Sequence, residues 1–116
     1  MLSLLLAIAA SSATAPSPAA APARTARCIV KSAGSREYRG PCRFIPEGNG
    51  SFMLEPVKRR FIQDNVSSVS VSIVAPGLAE VRGLTGDGVN SRWGEARRSP
   101  RDKACWAGSD FRICAY

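Results

Sequence analysis

Four cysteines carry the most definite chemistry in this sequence of 116 residues, and they fall into two pairs of near neighbours. Cys28 and Cys42 bracket one short segment and Cys105 and Cys114 bracket another, each typical of a strand, a turn and a returning strand. Four cysteines in so short a chain predict disulfides if the protein is exported, and the spacing favours the two local pairs among the three possible connectivities. Because no Cys-x-x-Cys motif occurs, a redox-active pair is disfavoured.

The segment between Cys105 and Cys114 permits a prediction of register. If Ser109 and Asp110 form a two-residue hairpin turn, counting back along both strands places Cys105 opposite Cys114 in a non-hydrogen-bonded pair. Side chains approach most closely at such positions, which suits a cross-strand disulfide. We expect the disulfide to lie toward the outside and the opposite, aromatic face to point into the core. The disulfide face carries Cys105, Arg112 and Cys114, and the core face carries Trp106, Phe111 and Ile113.

The residue types available for catalysis are few. The chain has no histidine, which excludes Ser-His-Asp and Cys-His mechanisms and every zinc site that needs imidazole. Carboxylates occur at Glu80, Asp87 and Glu95, but their spacing singles out no pair, and so small a domain offers little cleft to desolvate one. Asp87 and Asn90 lack the spacing of a calcium loop. The sequence therefore predicts no catalytic residue, metal or cofactor, and a small hydrolase is the remaining enzymatic alternative.

Basic residues dominate the ionisable groups and give a net charge of +7. Guanidinium forks suit phosphate and carboxylate, so lipopolysaccharide phosphates and lipid headgroups are candidate ligands. The alternative is a solvated face that keeps the protein soluble. Nucleic-acid binding is disfavoured because few aromatic residues alternate with the charges. The predicted anionic-surface site is Lys58, Arg59 and Arg60, and a second basic run contains Arg97, Arg98, Arg101 and Lys103.

The most unusual stretch is residues 86–99, GDGVNSRWGEARRS, which is long, polar and rich in glycine. We expect a loop, and loops on a rigid scaffold often carry binding sites. Trp93 is then an exposed anchor for a protein partner, because tryptophan and arginine dominate binding hot spots. The alternative is that Trp93 covers one end of the folded domain. The predicted partner-binding residues are Arg92, Trp93, Arg97, Arg98 and Arg101.

The N-terminal residues are typical of an export signal. Residues 2–10 are apolar and uncharged, too short for a membrane span of about 20 residues but long enough for the core of a signal peptide. The usual Lys or Arg before such a run is missing, and a disordered arm on a cytosolic protein is the alternative. We expect no transmembrane span and a periplasmic or extracellular location. The predicted organisation is a signal peptide at 1–15, cleaved within 9–23, an Ala/Pro-rich tether at 16–26 and a disulfide-stapled β domain at 27–116.

Short strands separated by turn residues make up the rest of the sequence. In residues 66–74, valines and an isoleucine alternate with serines, which predicts a strand with one buried face. Pro76-Gly77 marks a turn into a partner strand at 78–84, and residues 47–50 mark another hairpin. Residues 56–64 fit either a short helix or an edge strand. Turn signals every 8–12 residues or so predict an all-β fold, a small antiparallel barrel or sandwich of six to eight strands.

Four short motifs carry a resemblance to known sequences. The segments GPCRF at 40–44, GSF at 50–52, ACW at 104–106 and ICA at 113–115 resemble a pattern in uncharacterised small secreted two-disulfide proteins of Gram-negative bacteria. The resemblance implies no particular activity and carries over no catalytic residue. In size, compartment and β-content the chain also resembles periplasmic lysozyme-inhibitor barrels, in architecture alone.

Together these features predict a non-enzymatic periplasmic or secreted domain that binds a protein partner and inhibits it by contact. The alternative is a basic envelope-associated protein that binds anionic lipopolysaccharide or lipid headgroups. The sequence specifies neither the identity of the partner nor the oligomeric state.

Overall fold

Antiparallel strands, each hydrogen-bonded to its neighbours in chain order, close into a barrel in the computed structural model. The structure describes residues 3–9 and 21–116. Pairing of the first strand with the last completes the barrel, which confirms the predicted all-β fold in its barrel form. In the described part of the chain the strands are β1 (Arg24–Lys31), β2 (Tyr38–Gly48), β3 (Ser51–Pro56), β4 (Val66–Ala75), β5 (Leu78–Thr85), β6 (Asn90–Arg98), β7 (Cys105–Ala107) and β8 (Arg112–Ala115).

Alternation of apolar and polar residues gives these strands one face inside the barrel. In β4, Val69 and Val71 are fully buried, whereas Ser72 is exposed. Burying such an apolar side chain contributes roughly 1.5–3 kcal/mol. The turn at Pro76-Gly77 leads into β5 as predicted, and Gly77 adopts a φ of 71°, a left-handed conformation that glycine takes without steric cost.

The hairpin formed by β7 and β8 has the predicted register. Cys105 lies opposite Cys114, and the two form a disulfide. This disulfide is buried in a small cluster with Ile29, separate from the main core. The opposite face of the hairpin points into the barrel, where the main core contains Trp106, Phe111 and Ile113. The prediction that the aromatic face points inward is therefore confirmed.

The Cys28–Cys42 disulfide, by contrast, belongs to the interior of the barrel. In the register of β1 and β2, Cys28 faces Gly40 and Cys42 faces Ala26, so the bridge runs diagonally between the two strands. Both cysteines are fully buried in the main core. The two local disulfides predicted from spacing are both present, and they occupy opposite faces of the sheet.

Residues 56–64 form neither a helix nor an edge strand. β3 ends at Pro56, and residues 57–65 cross one end of the barrel as a loop with an isolated bridge between Gln63 and Val66. No helix occurs in the described residues. Ile62 is fully buried, and its N–H donates to the Val66 carbonyl oxygen (2.8 Å). This segment therefore closes one end of the barrel. Its sequence shows neither the helical nor the strand spacing of apolar residues, because only Ile62 enters the core.

The expectation of a long loop at 86–99 is also wrong. Most of this stretch is strand β6, and only residues 86–89 form the connecting turn. The strand was hidden in the sequence because Ala96 is its only buried residue, so no row of large apolar side chains marks its inner face.

The start of the folded domain lies earlier than position 27. β1 begins at Arg24, and Ala26 is buried in the main core. The predicted signal peptide and tether lie partly outside the described residues, and residues 3–9 are exposed without regular secondary structure. The described part of the chain contains no helix with the length and apolar character needed to cross a bilayer.

The two ends of the barrel differ. At one end, which we call the sealed end, the connections that follow β1, β3, β5 and β7 meet. There the buried Gln63 donates to the carbonyl oxygens of Val30 and Arg36 (3.2 and 2.9 Å) and accepts from the Ser32 hydroxyl (2.9 Å), which fixes the loop over the core. At the other end, which we call the mouth, β1 begins, β8 ends and the remaining turns surround an open cavity.

Candidate functional site

A cavity of about 530 Å³ opens at the mouth. Three cations line it, Arg24, Arg98 and Lys103, which we call the mouth cations. No carboxylate is among the described residues that line this cavity. Its volume lies within the range of roughly 300–1,000 Å³ typical of small-molecule sites. The large apolar side chains of the lining are Phe44, Phe52, Ile73 and Trp106.

Strand alternation places the two arginines at inward-facing positions. Arg24 continues the inner row of β1 beyond the buried Ala26, and Arg98 continues the inner row of β6 beyond the buried Ala96. Each arginine is the terminal residue of its strand, so its side chain emerges from the core at the mouth and is exposed. A charged side chain at an inward-facing position farther from the mouth would lose its hydration and gain no partner in return.

Each arginine stacks on an aromatic residue directly opposite it in the sheet register. The guanidinium carbon of Arg24 lies 4.6 Å from the centre of the Phe44 ring. The guanidinium carbon of Arg98 lies 5.6 Å from the centre of the Trp106 ring. Such cation–π contacts hold the planar guanidinium in one orientation, which reduces the entropy lost when it binds a ligand.

Hydrogen bonds to the backbone fix the two guanidiniums further. Arg24 Nη1 donates to the main-chain oxygen of Tyr116 (3.3 Å), and Arg98 Nε donates to the Lys103 carbonyl oxygen (2.7 Å). A guanidinium has five N–H donors, so each arginine keeps most of its donors free of hydrogen bonds to the described residues. This arrangement suits a phosphate or carboxylate that accepts two parallel hydrogen bonds.

Arginines on the outer wall of the barrel are engaged differently. Arg92 Nε lies 2.8 Å and Arg82 Nη2 lies 3.2 Å from Glu80 Oε1. The hydrogen bond from Arg92 holds the pKa of Glu80 below its usual value, and Arg82 adds to this effect. Arg97 lies 3.8 Å from Glu95. Within the described residues, the mouth cations form no such ion pair with a side-chain carboxylate.

The structure does not bring the predicted partner-binding residues onto one surface. Arg92 and Arg97 lie in ion pairs on the outer wall, and Arg101 is exposed in the loop before β7 without lining the mouth cavity. Arg98 lies at the mouth, whereas Trp93 lies toward the sealed end. Arg98 lies five positions after Trp93 in β6, which is roughly 16 Å along a strand.

Trp93 packs against the core. It is half-buried, its ring contacts Phe111 edge-on with 6.0 Å between centroids, and it covers Gly83, where an added Cβ would come within 2.7 Å of the indole. β7 pairs with only the last residues of β6, so the indole and Phe111 fill the wall where β7 is too short to reach. This environment favours the alternative in which Trp93 covers the core, and it places the indole in the barrel wall close to the sealed end.

The predicted anionic-surface residues separate as well. Arg59 stacks on Tyr38 (5.1 Å) and Arg60 on Phe61 (5.0 Å), both toward the sealed end. Lys58 instead lines a smaller cavity on the outer wall near the start of β1. The run that is continuous in sequence is therefore divided in space.

The most important residue that the sequence-based analysis missed is Arg24. Its position after an Ala/Pro-rich stretch assigned it to the tether. The signal that could have identified it is the two-residue period of β1. Every second residue, from Val30 back through Cys28 and Ala26, faces the interior, and Arg24 is the next position in this row. Arg98 follows Ala96 in the same way on β6.

Tyr116 connects the mouth to the neighbouring β6–β7 loop. Its main-chain oxygen accepts from Arg24, and its hydroxyl donates to the Asp102 carboxylate. This hydrogen bond, followed by one from the Ala104 N–H (3.1 Å), holds the pKa of Asp102 below its usual value. The Asp102 carboxylate in turn raises the pKa of Tyr116.

We expect Tyr116→Phe to lower stability at neutral pH and to raise the pKa of Asp102 toward its usual value of about 3.9. A carboxyl pKa that is lowered by folding contributes stability above about pH 4, and this is lost as pH falls through the lowered pKa. A raised tyrosine pKa contributes stability below about pH 10, which is lost as pH rises through the raised value. The difference in unfolding free energy between the two proteins should therefore shrink in acid and in strong base. A difference that persists unchanged in acid contradicts this account.

The chain was compared with protein-family models, curated proteins and solved structures, and none of them matches it. Within the described residues, no group of three or more Cys, Asp or Glu side chains is placed to hold a metal ion.

Proposed function

We propose that the protein is a non-enzymatic binding domain, exported from the cytosol, whose mouth binds a ligand through an anionic phosphate or carboxylate group. The observation that carries the proposal is the pair of inward-facing arginines, each stacked on an aromatic ring beside an open cavity. An oriented, planar guanidinium can donate two parallel hydrogen bonds to the oxygens of a carboxylate or of a phosphate group.

The covalent chemistry supports the proposed location. Two disulfides in so small a domain fit an oxidising compartment, which supports the periplasm or the extracellular space. The uncharged apolar run at 2–10 supports export by a signal peptide.

An anionic envelope component fits the mouth better than a protein docked on the predicted Trp93 surface. Trp93 is half-buried in the barrel wall, and Arg92 and Arg97 already lie beside carboxylates. Lipopolysaccharide phosphates and lipid headgroups, in contrast, present anions at a surface and can reach an exposed mouth. We therefore propose association with anionic envelope components through the mouth cations.

The experiment compares two double variants that remove the same charge. Vesicles of phosphatidylglycerol and phosphatidylcholine are sedimented with the wild-type protein, with Arg24→Gln/Arg98→Gln, and with the wall control Arg92→Gln/Arg97→Gln. Hydrogen bonds to charged groups contribute about 1.5–3 kcal/mol, so the mouth variant should bind roughly 10- to 100-fold more weakly. The wall variant should stay close to wild type.

Salt and lipid composition complete this test. Binding should fall steeply as ionic strength rises, because the Debye length shortens from about 10 Å at 0.1 M to about 3 Å at 1 M. Neutral vesicles should not bind. Equal losses in the two double variants would mean that net charge alone drives association, and the mouth would then have no special role.

A further inference from the structure

A second cation-lined cavity lies on the outer wall beside the mouth. Its volume is about 330 Å³, and we call it the outer groove. Arg24, Arg43 and Lys58 line it together with Thr25 and Pro56. The described residues of this lining include no carboxylate. Arg24 lines both the mouth cavity and the outer groove, so the two are adjacent.

The path of the chain after β3 creates this groove. β3 stops at Pro56, which pairs with Cys42 in the middle of β2, and the chain then leaves the sheet. Lys58 turns the backbone with a φ of 55°, in the left-handed region. The groove floor is the outer face of β1 and β2, where Thr25 and Arg43 are register partners.

The cations of the groove are available to a ligand. Arg43 and Lys58 are both exposed. Glu55 is the register partner of Arg43 across β2 and β3, but it forms no ion pair with Arg43 and does not line the groove. The wall arginines discussed above, in contrast, are engaged by Glu80 and Glu95.

We infer that the mouth and the outer groove form one continuous basic track, joined at Arg24, that binds a chain-like molecule carrying two or more phosphate or carboxylate groups. This inference rests on the proposed function of the mouth. A single anion bound by the mouth cations Arg24, Arg98 and Lys103 leaves Arg43 and Lys58 unused. A ligand with a second anionic group places it in the groove, where its local concentration is high because the first group is already held. The track is Lys103, Arg98, Arg24, Arg43 and Lys58.

The test is a series of soluble anions of increasing length. Isothermal titration measures the affinity of the full chain for inorganic phosphate, pyrophosphate, tripolyphosphate and a longer polyphosphate. Affinity for the wild-type protein should rise at least about 10-fold between phosphate and the longer chains, as expected for linked binding groups. Oligogalacturonate of matched length distinguishes a carboxylate chain from a phosphate chain, and binding of either supports the track.

The groove variant Arg43→Gln/Lys58→Asn separates the track from the mouth. Asparagine is chosen at 58 because it tolerates a left-handed backbone. Both side chains are exposed, and circular dichroism with a thermal melt verifies that the fold is kept. This variant should bind single phosphate as wild type does and lose the increase with chain length. Arg39→Gln/Arg92→Gln, which removes the same charge from ion pairs on the wall, should retain that increase.

Three outcomes count against the inference. If the groove variant keeps the full dependence on chain length, the track is wrong and the mouth site stands. If the wall control loses as much as the groove variant, the dependence reflects net charge, and the track is again wrong. If the wild-type protein binds none of these anions, the proposed function of the mouth fails together with the track.

Discussion

Replacing Cys28 and Cys42 together by alanine lowers the free energy of unfolding by about 3 kcal/mol or more. A disulfide that closes a loop of about 15 residues contributes roughly 3 kcal/mol by restricting the unfolded chain. The position of this bridge adds to that value, since both sulfur atoms are fully buried in the core and their loss leaves a void. Urea unfolding of the oxidised protein measures the difference.

The matched control is Cys105→Ala/Cys114→Ala. This disulfide closes a shorter loop and lies in a separate cluster outside the main core. The chain-entropy contribution is therefore slightly smaller, and the void that the substitution leaves lies in the small Ile29 cluster instead of the main core. We expect the interior double variant to be the less stable of the two. If the two variants unfold at the same urea concentration, the interior bridge has no packing role beyond its cross-link.

The second large effect is expected at the sealed end. Ile62→Ala should cost about 2–5 kcal/mol, the range for truncating a fully buried isoleucine. The loop at 57–65 forms no strand, and the buried Ile62 side chain and the hydrogen bonds of Gln63 attach it to the barrel. Hydrogen exchange should therefore show faster exchange across this loop than in β4 or β5.

Two further variants test whether the loss of stability comes from the buried isoleucine or from any substitution in this loop. Ile62→Val removes one methylene group and should cost about 0.5–1.5 kcal/mol. Arg60→Ala, at an exposed neighbouring position, should cost much less than Ile62→Ala. Equal destabilisation by Ile62→Ala and Arg60→Ala would show that the isoleucine does not seal the barrel.

The parts of the fold that the sequence predicted are those governed by local rules. The alternation in β4 and the turn at Pro76-Gly77 were readable because each strand buries one face and each turn uses residues suited to it. The register of Cys105 with Cys114 followed from a two-residue turn and the hydrogen-bond pattern of an antiparallel pair. Each of these predictions depends only on residues that are close together in the sequence.

The candidate site escaped prediction because it depends on closure of the barrel. Arg24 and Arg98 are far apart in the chain and meet at the mouth only because β1 pairs with β8, β8 with β7 and β7 with β6. The sequence grouped Arg98 with Trp93 and Lys58 with Arg59, since these are close along the chain. The extended backbone of β6 and the turn at Lys58 separate both pairs.

Pairing of β1 with β8 has a practical consequence for handling the protein. Arg24 and Ala115 both line the mouth, so the two ends of the folded domain are neighbours there. A purification tag or fluorescent fusion joined close to Arg24 or to Ala115 will crowd the ligand entrance, and an acidic tag there will compete with the ligand directly. Labels placed in the turn at 86–89 lie on the far side of the molecule and leave the entrance clear.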